Sequence, residues 1–214
     1  MTILLALLAG YLIGSIPFAV LLGGLRRDFD VTRQGTRNPG ATNVFKNVGP
    51  IAGAAVGLLD YFKALVPAVV ADKVLGLGFG AAAAVGIGAV LGHNFSILLR
   101  LRGGKGGAST LGVFSYLDFP VLMLTGALWA AALPFLKGRR FVAGPTALCL
   151  FPILLALHGS PLGAGLLDDW SRRPGPIPVV IAVALCALLW IRILPGLRTT
   201  GGPEGQPPEE GGSR

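Results

Sequence analysis

Charge is scarce in this chain. Only 13% of its 214 residues are Asp, Glu, Lys or Arg, against 53% apolar residues, and the mean hydropathy is +0.71. A soluble domain carries about a quarter charged residues, so an ordinary water-soluble globule is excluded. Cysteine is scarcer still. Cys149 and Cys186 both lie inside apolar runs, which argues for buried packing rather than a disulfide frame or a metal pair. No group of His, Cys and Asp has metal-ligand spacing, so no metal site is expected. The chain has no G-x-x-x-x-G-K-S/T loop and no G-x-S-x-G elbow, which removes P-loop nucleotide chemistry and the serine-nucleophile hydrolases of that type. Nothing in it requires a cofactor, and no repeat of fixed period appears.

What the chain has instead is length of apolar sequence. Seven segments stand out, at roughly 2–24, 51–72, 78–99, 106–117, 119–136, 141–157 and 176–195. About 20 helical residues cross a hydrocarbon layer of roughly 30 Å. The fourth segment is too short to cross alone unless tilted, and reads as a half-helix. Residues 1–24 lack a basic leader and run longer than a signal-peptide core, so they read as a first permanent span. The expectation is an all-α integral membrane protein of about seven transmembrane helices.

The formal charge of +8 could suggest nucleic acid, but the basic residues gather at the ends of the apolar segments, which argues against it. With the N-terminus outside, 14 of the 18 Lys and Arg residues fall on the cytoplasmic side: Arg26, Arg27, Arg33, Arg37 and Lys46, then Arg100, Arg102 and Lys105, then Lys137, Arg139 and Arg140, then Arg192, Arg198 and Arg214. Lys73, Arg172 and Arg173 fall outside, and Lys63 lies within a span. That bias places the polar loops 25–50 and 100–107 in the cytoplasm of a multi-pass protein. Residues 1–198 read as one polytopic domain. The tail 199–214, rich in Gly, Pro, Glu and Gln, reads as disordered. The outer segment 158–175 reads as an irregular loop, with His158 an ordinary member of it. Small-xxx-small pairs at Gly10/Gly14, Gly53/Gly57 and Gly88/Gly92 point to close helix packing more than to dimerisation.

Polar chemistry is confined to a few places. The run Arg102-Gly103-Gly104-Lys105-Gly106-Gly107-Ala108-Ser109-Thr110 sets one cation among four glycines. Bare backbone N–H groups let a phosphate approach closely, and a helix starting here would point its positive end at the same spot. His93 lies one or two turns earlier, at the end of its span, where it could act as a general base or simply bond a neighbouring carbonyl. The first loop, Gln34-Gly35-Thr36-Arg37-Asn38-Pro39-Gly40-Ala41-Thr42-Asn43-Val44-Phe45-Lys46, offers hydroxyl, amide and cationic donors suited to a phosphate or oxyanion. Asn-Pro-Gly is also a plain turn signal, so a solvated turn is the competing reading. Asp60 and Lys63, spaced i, i+3, share one helix face inside the second span. They neutralise each other either beside a substrate pocket or as a purely structural pair.

At these loops the chain resembles the bacterial acyl-phosphate:glycerol-3-phosphate acyltransferases, small integral membrane enzymes of phospholipid synthesis. The resemblance runs from Gly14-Ser15-Ile16-Pro17 through the sixth segment. A first motif of the type Ser-Gly-Asn-x-Gly-Ala-Thr-Asn is matched by Thr36 to Asn43, with Lys46 at a family Arg. A second, Gly-His followed by Gly-Gly-Lys-Gly, is matched by Gly92-His93 and Gly103-Gly104-Lys105-Gly106. A family Asp-x-x-Lys is matched by Asp60 and Lys63.

The resemblance implies transfer of a fatty acyl group from acyl phosphate to the 1-hydroxyl of glycerol 3-phosphate in the bacterial inner membrane, by a protein read as a monomer. It implies that Thr36, Asn38, Gly40, Asn43 and Lys46 hold the acyl-phosphate head. Lys105, with Gly103, Gly104 and Gly106, would hold glycerol 3-phosphate, with Lys63 near the pocket and His93 orienting the loops or the attacking hydroxyl. No covalent acyl-enzyme is implied. The chain departs at Thr36 and Lys46, at Ala64 and Gly107, and beyond Arg140, where a Ser-bearing stretch reads Arg140-Phe141-Val142-Ala143-Gly144-Pro145. It departs most at the C-terminus. There the family's His-Arg-x-Asn-x-x-Arg-Leu motif and Glu give way to Trp190-Ile191-Arg192-Ile193-Leu194-Pro195-Gly196-Leu197-Arg198. A non-catalytic relative that binds acyl phosphate or phospholipid is therefore the alternative.

Overall fold

The computed structural model describes residues 2–24, 29–135, 145–160 and 175–199, and the regular structure among them is helical throughout. Outside the described residues lie Arg26, Arg27, Lys137, Arg139, Arg140, Arg172, Arg173 and Arg214, most of the outer segment 158–175, and the tail from 200 onward.

The chain opens with α1 (Thr2–Gly14) and α2 (Phe18–Gly23), separated by a break at Ser15–Pro17. Helices α3 (Ala41–Asn47) and α4 (Pro50–Val69) follow, and α4 is extended by a wider π turn over Val70–Val74. Next come α5 (Gly78–Asn94), α6 (Gly107–Leu117) and α7 (Phe119–Ala132), then α8 (Leu150–Gly159) and α9 (Pro176–Thr199).

Four stretches are long and apolar enough to cross a membrane: Thr2–Gly23, Pro50–Val74, Gly78–Leu99 and Pro176–Leu194. The apolar helices Phe119–Phe135 and Pro145–Gly159 are shorter. Helix α6 has 11 residues, about 16 Å at 1.5 Å per residue, half a bilayer crossing. The protein is thus all-α and built of apolar helices.

Helix α5 is the centre. Two-thirds of the Gly78–Leu99 stretch is buried, against about a third for each of the other long helices. Small residues permit this: a methyl group placed on Gly10 or Gly14 would overlap the backbone of Val85 or Ala89, and one on Gly88 or Gly92 would overlap that of Leu7 or Tyr11. The Gly10/Gly14 and Gly88/Gly92 pairs are therefore the two faces of one α1–α5 crossing. Tyr61 Oη and Ser115 Oγ, 2.7 Å apart, tie α4 to α6, and the stacked rings of Phe114 and Phe151, 4.1 Å between centroids, tie α6 to α8. Leu4, Leu5, Leu8, Ile51, Leu58, Val180 and Val183 stand outward and exposed, as a lipid-facing surface requires.

The first apolar stretch, Thr2–Gly23, is long enough to cross but is broken into two helices, because Pro17 brings no N–H and its ring disfavours a helical residue before it. One expectation changes: His158 is not an ordinary loop residue. It is buried in the last turn of α8, with Nδ1 2.7 Å from Oδ2 of the equally buried Asp118. Asp118 also caps α7, accepting from the amide of Val121 at 3.0 Å. A carboxylate with a second partner can be buried at tolerable cost, and this one joins α7 to α8.

Candidate functional site

The break in α1–α2 exposes backbone carbonyls inside an apolar structure, and each must find a donor. Lys63 Nζ donates to the Ile16 carbonyl at 3.0 Å, and Ser96 Oγ to the Ser15 carbonyl at 2.6 Å. Tyr11 Oη reaches the carbonyl of Phe95 at 2.7 Å. These bonds draw α4 and the end of α5 against the break.

The recess left between them is polar. It is lined by Pro39 from the first loop, Gly104 from the glycine-rich loop, and Asp60, Lys63, His93 and Ser96. Its enclosed space, about 10 Å³, has room for about one water.

At its base Lys63 Nζ lies 2.7 Å from Asp60 Oδ1, and both side chains are almost fully buried. His93, on α5, brings Nδ1 to 3.4 Å from the same oxygen. The far side of the ring, Nε2, faces Gly104 so closely that a methyl group there would overlap it. Ser109 Oγ donates to the Asp60 backbone carbonyl at 2.9 Å, which seats the first turn of α6 on α4. A carboxylate 3.4 Å from one ring nitrogen favours a proton on that nitrogen, and an imidazole protonated there has its other nitrogen free to accept.

That loop is itself tightly held. Gly104 donates its N–H to the His93 carbonyl at 2.9 Å, and Arg192 of α9 donates from Nη2 to the Gly103 and Gly104 carbonyls at 2.8 and 3.1 Å. Gly106, at φ +84°, caps α6 in the left-handed region, where its missing side chain also makes room for the Asn94 carboxamide. Asn94 is fully buried. Lys105 is half-buried just before the α6 N-terminus, where the helix carries partial positive charge.

The first loop contributes more indirectly. Asn43 is fully buried, and its Nδ2 donates to the carbonyls of Val31 and Gln34 at 2.9 and 3.1 Å. Its Oδ1 accepts from the Thr36 amide at 3.1 Å and from Asn47 Nδ2 at 2.9 Å. These bonds stay within the segment from Val31 to Asn47, so the side chain shapes its own loop. Gly40 starts α3, a helix inside what reads as a plain loop, and Asn38 lies half-buried beside it. Thr36 and Lys46 are exposed on the same loop and do not line the recess. At the loop's start, the Thr32 hydroxyl and amide donate to Asp30 Oδ1 at 2.6 and 2.8 Å, holding that carboxyl below its ordinary pKa.

Of the residues singled out by sequence, Lys63, His93 and Gly104 meet at the recess, with Gly103, Lys105 and Gly106 on the loop that Gly104 belongs to. Sequence reading missed three things: the Asp60–His93 contact, the Ser15 and Ser96 bonds at the helix break, and the reach of Arg192. The buried Asp60 was the available signal for the first, and Pro17 for the second. For the third, the position of Arg192 in the stretch that replaces the family's C-terminal motif pointed to a charge but not to its backbone partners.

Between α8 and α9 runs a separate apolar groove of about 680 Å³, lined by Cys149, Pro152, Ala156, Val183, Cys186 and Trp190 among others. Trp190 Nε1 donates to Cys149 Sγ at 3.1 Å.

Fold and site together define a class: a helical membrane protein whose polar loops gather on a buried Asp–Lys–His group beside a broken first helix. The profile of the family described as glycerol-3-phosphate acyltransferase matches residues 4–198, and the chain belongs to that family. It is 43% identical over 151 residues to glycerol-3-phosphate acyltransferase 1 of Deinococcus radiodurans, covering 71% of this chain and 74% of that protein. It is 36% identical over 182 residues to the glycerol-3-phosphate acyltransferase of Thermotoga petrophila, covering 77% and 92%. Among solved structures it is similar to PlsY (YgiH), an integral membrane glycerol 3-phosphate acyltransferase. The glycerol 3-phosphate and lysophosphatidic acid forms of that protein superpose with TM-scores of 0.75 and 0.73, at 27% identity over 92% of this chain and 91% of that one.

Proposed function

We propose that the protein transfers a fatty acyl group from acyl phosphate to the 1-hydroxyl of glycerol 3-phosphate, giving lysophosphatidic acid and phosphate. The observation that carries this is the convergence of Asp60, His93 and the glycine-rich loop on one recess. Acyl phosphate is a reactive mixed anhydride, so the protein mainly has to position two phosphates and stabilise a tetrahedral oxyanion. Lys105 and the amides of the α6 N-terminus hold the phosphate of glycerol 3-phosphate. Thr36, Asn38, Gly40 and Lys46 meet the acyl-phosphate head on a loop that Asn43 shapes.

His93, its tautomer set by Asp60, takes the proton of the 1-hydroxyl through Nε2 as the oxygen attacks the acyl carbon. The tetrahedral adduct collapses with cleavage of the carbon–oxygen bond to phosphate. The proton passes from His93 to the departing phosphate, so no covalent enzyme intermediate forms. Lys63 neutralises the charge of Asp60. The apolar groove between α8 and α9 takes the acyl chain: its volume falls within the usual range of about 300–1,000 Å³ for ligand sites, and its Trp190 lies two residues before Arg192 on α9, whose side chain reaches the glycine-rich loop. The chain acts as one polytopic domain of about seven spans over residues 1–198 in the bacterial inner membrane, as a monomer, with its N-terminus outside and both loops cytoplasmic. The clustering of Lys and Arg at span ends supports that orientation.

Phosphate release by the purified protein in lipid tests the reading, with palmitoyl phosphate supplied with and without glycerol 3-phosphate. Release that depends on glycerol 3-phosphate, with lysophosphatidic acid formed, is expected. No release from folded protein that still binds acyl phosphate would favour a binding relative without turnover.

A further inference from the structure

Gly103 and Gly104 have no side chains with which to fix their own conformation, and neither has room for one. A methyl group on Gly103 would overlap the carbonyl of His93, and one on Gly104 the His93 ring. A stretch of bare backbone beside a reactive ring must therefore be shaped by its neighbours. Two neighbours do so from opposite sides. On the α5 side the Gly104 N–H donates to the His93 carbonyl at 2.9 Å. On the α9 side Arg192 Nη2 donates to the Gly103 carbonyl at 2.8 Å and the Gly104 carbonyl at 3.1 Å, and Nε to the latter at 3.3 Å. The guanidinium carbon is also 5.1 Å from the centre of the Phe95 ring, a cation–π contact.

In a trans peptide the carbonyl of one residue and the N–H of the next point in opposite directions. Drawing the Gly103 carbonyl to Arg192 therefore presents the Gly104 N–H to His93, and drawing the Gly104 carbonyl there turns the Lys105 N–H away from α9. One guanidinium thus sets the orientation of two consecutive peptides in the loop that carries Lys105.

We infer that Arg192 is a positioning residue: it clamps the Gly103–Gly104 peptides from α9 and so sets the geometry of the glycine-rich loop, without contacting substrate. Its consequence for turnover rests on the acyltransferase reading; its consequence for the loop does not. The work needs a planar fork rather than a charge, so lysine is a poor substitute.

The test has two arms, each comparing wild type with Arg192→Met, Arg192→Lys and the lipid-facing control Ile191→Ala in lipid. Amide hydrogen exchange is read on the peptide spanning Gly103 to Gly106. We expect exchange to quicken by about tenfold or more in both Arg192 variants, the size expected for lost charge-assisted hydrogen bonds, and to stay unchanged in Ile191→Ala. Thermal unfolding near the wild-type temperature shows that the effect is local. In the kinetic arm, Arg192→Lys is expected to lose kcat about as severely as Arg192→Met. Wild-type exchange in Arg192→Met would overturn the clamp. Wild-type kcat in Arg192→Lys would show that charge alone suffices and would overturn the fork. A wild-type protein without turnover would sink the acyltransferase reading while the exchange arm still decides the clamp.

Discussion

Replacing Asp60 by leucine removes the carboxylate that the buried Lys63 ammonium faces. Lys63 is 7% exposed and Asp60 2%, with 2.7 Å between Nζ and Oδ1. After Asp60→Leu, Lys63 keeps its bond to the Ile16 carbonyl at 3.0 Å and the face of the Phe18 ring, with Nζ 5.6 Å from the ring centroid. Neither cancels a full charge. Breaking a buried pair by removing one member costs about 3–5 kcal/mol, because the other charge stays buried and uncompensated. At about 2–4 °C per kcal/mol for a chain of this size, the melting temperature should fall by roughly 6–20 °C. The double variant Asp60→Leu/Lys63→Met removes both charges at similar volume and should recover most of that loss, since apolar replacement of a whole pair is close to neutral. Thermal unfolding in nanodiscs, followed by tryptophan fluorescence, reads all of these variants with Lys63→Met completing the cycle. The recovered double variant should still lack turnover, because His93 has lost the carboxylate that orients it. A double variant as unstable as Asp60→Leu would refute the pair as the source of stability. One that is stable and fully active would refute the role of Asp60 beside His93.

Lys105→Ala should lower glycerol-3-phosphate-dependent phosphate release by about tenfold to a hundredfold, the range for a hydrogen-bonded charge. Unchanged turnover and unchanged apparent affinity for glycerol 3-phosphate would remove this loop from the site. Gly106→Ala forces a side chain to φ +84° and into the Asn94 carboxamide, so it should cost about 1–2 kcal/mol from the backbone alone, read by thermal unfolding. Gly107→Ala meets no atom within 4 Å and serves as the neutral control. Ala156→Trp fills the groove between α8 and α9, and should reduce turnover with palmitoyl phosphate more than with a short acyl phosphate. Equal reduction for both chain lengths would show that the acyl chain lies elsewhere.

Several of these features can be read from the residues because their causes are local. Apolar length gives the helices, and the paired glycines at spacing four on α1 and α5 announce a close crossing without naming the partner. The i, i+3 spacing of Asp60 and Lys63 predicts their contact, because a helix puts them on one face. What fails is long-range pairing. His158 sits among Gly, Ser and Pro and reads as loop, yet the carboxylate that makes it a buried residue is Asp118, 40 positions away. Helix α3 hides in a loop because Asn-Pro-Gly signals a turn, and the turn is also where Gly40 starts the helix. Arg192 appears in the sequence as a charge near the end of an apolar run, in the stretch that replaces the family's C-terminal motif. Its partners are two backbone carbonyls, which no side-chain pattern can reveal.

The break at Pro17 links these levels. An uninterrupted helix would satisfy its own carbonyls and would need nothing from α4 or α5. Once Pro17 interrupts it, the Ser15 carbonyl calls for a donor that Ser96 supplies, and the Ile16 carbonyl, left with a 3.2 Å bond from the Phe18 amide, takes a second one from Lys63. Lys63 carries a charge into that place, so a carboxylate must follow it, and Asp60 does. A carboxylate oxygen has capacity beyond one ammonium, and that capacity is what reaches His93. The order of necessity therefore runs from a proline, through a carbonyl and a cation, to an oriented imidazole beside the glycine-rich loop. A Pro17→Ala variant that let the first helix run straight would relax the requirement at its origin. The Asp60–His93 geometry is then no longer enforced, even with every residue of the recess still present.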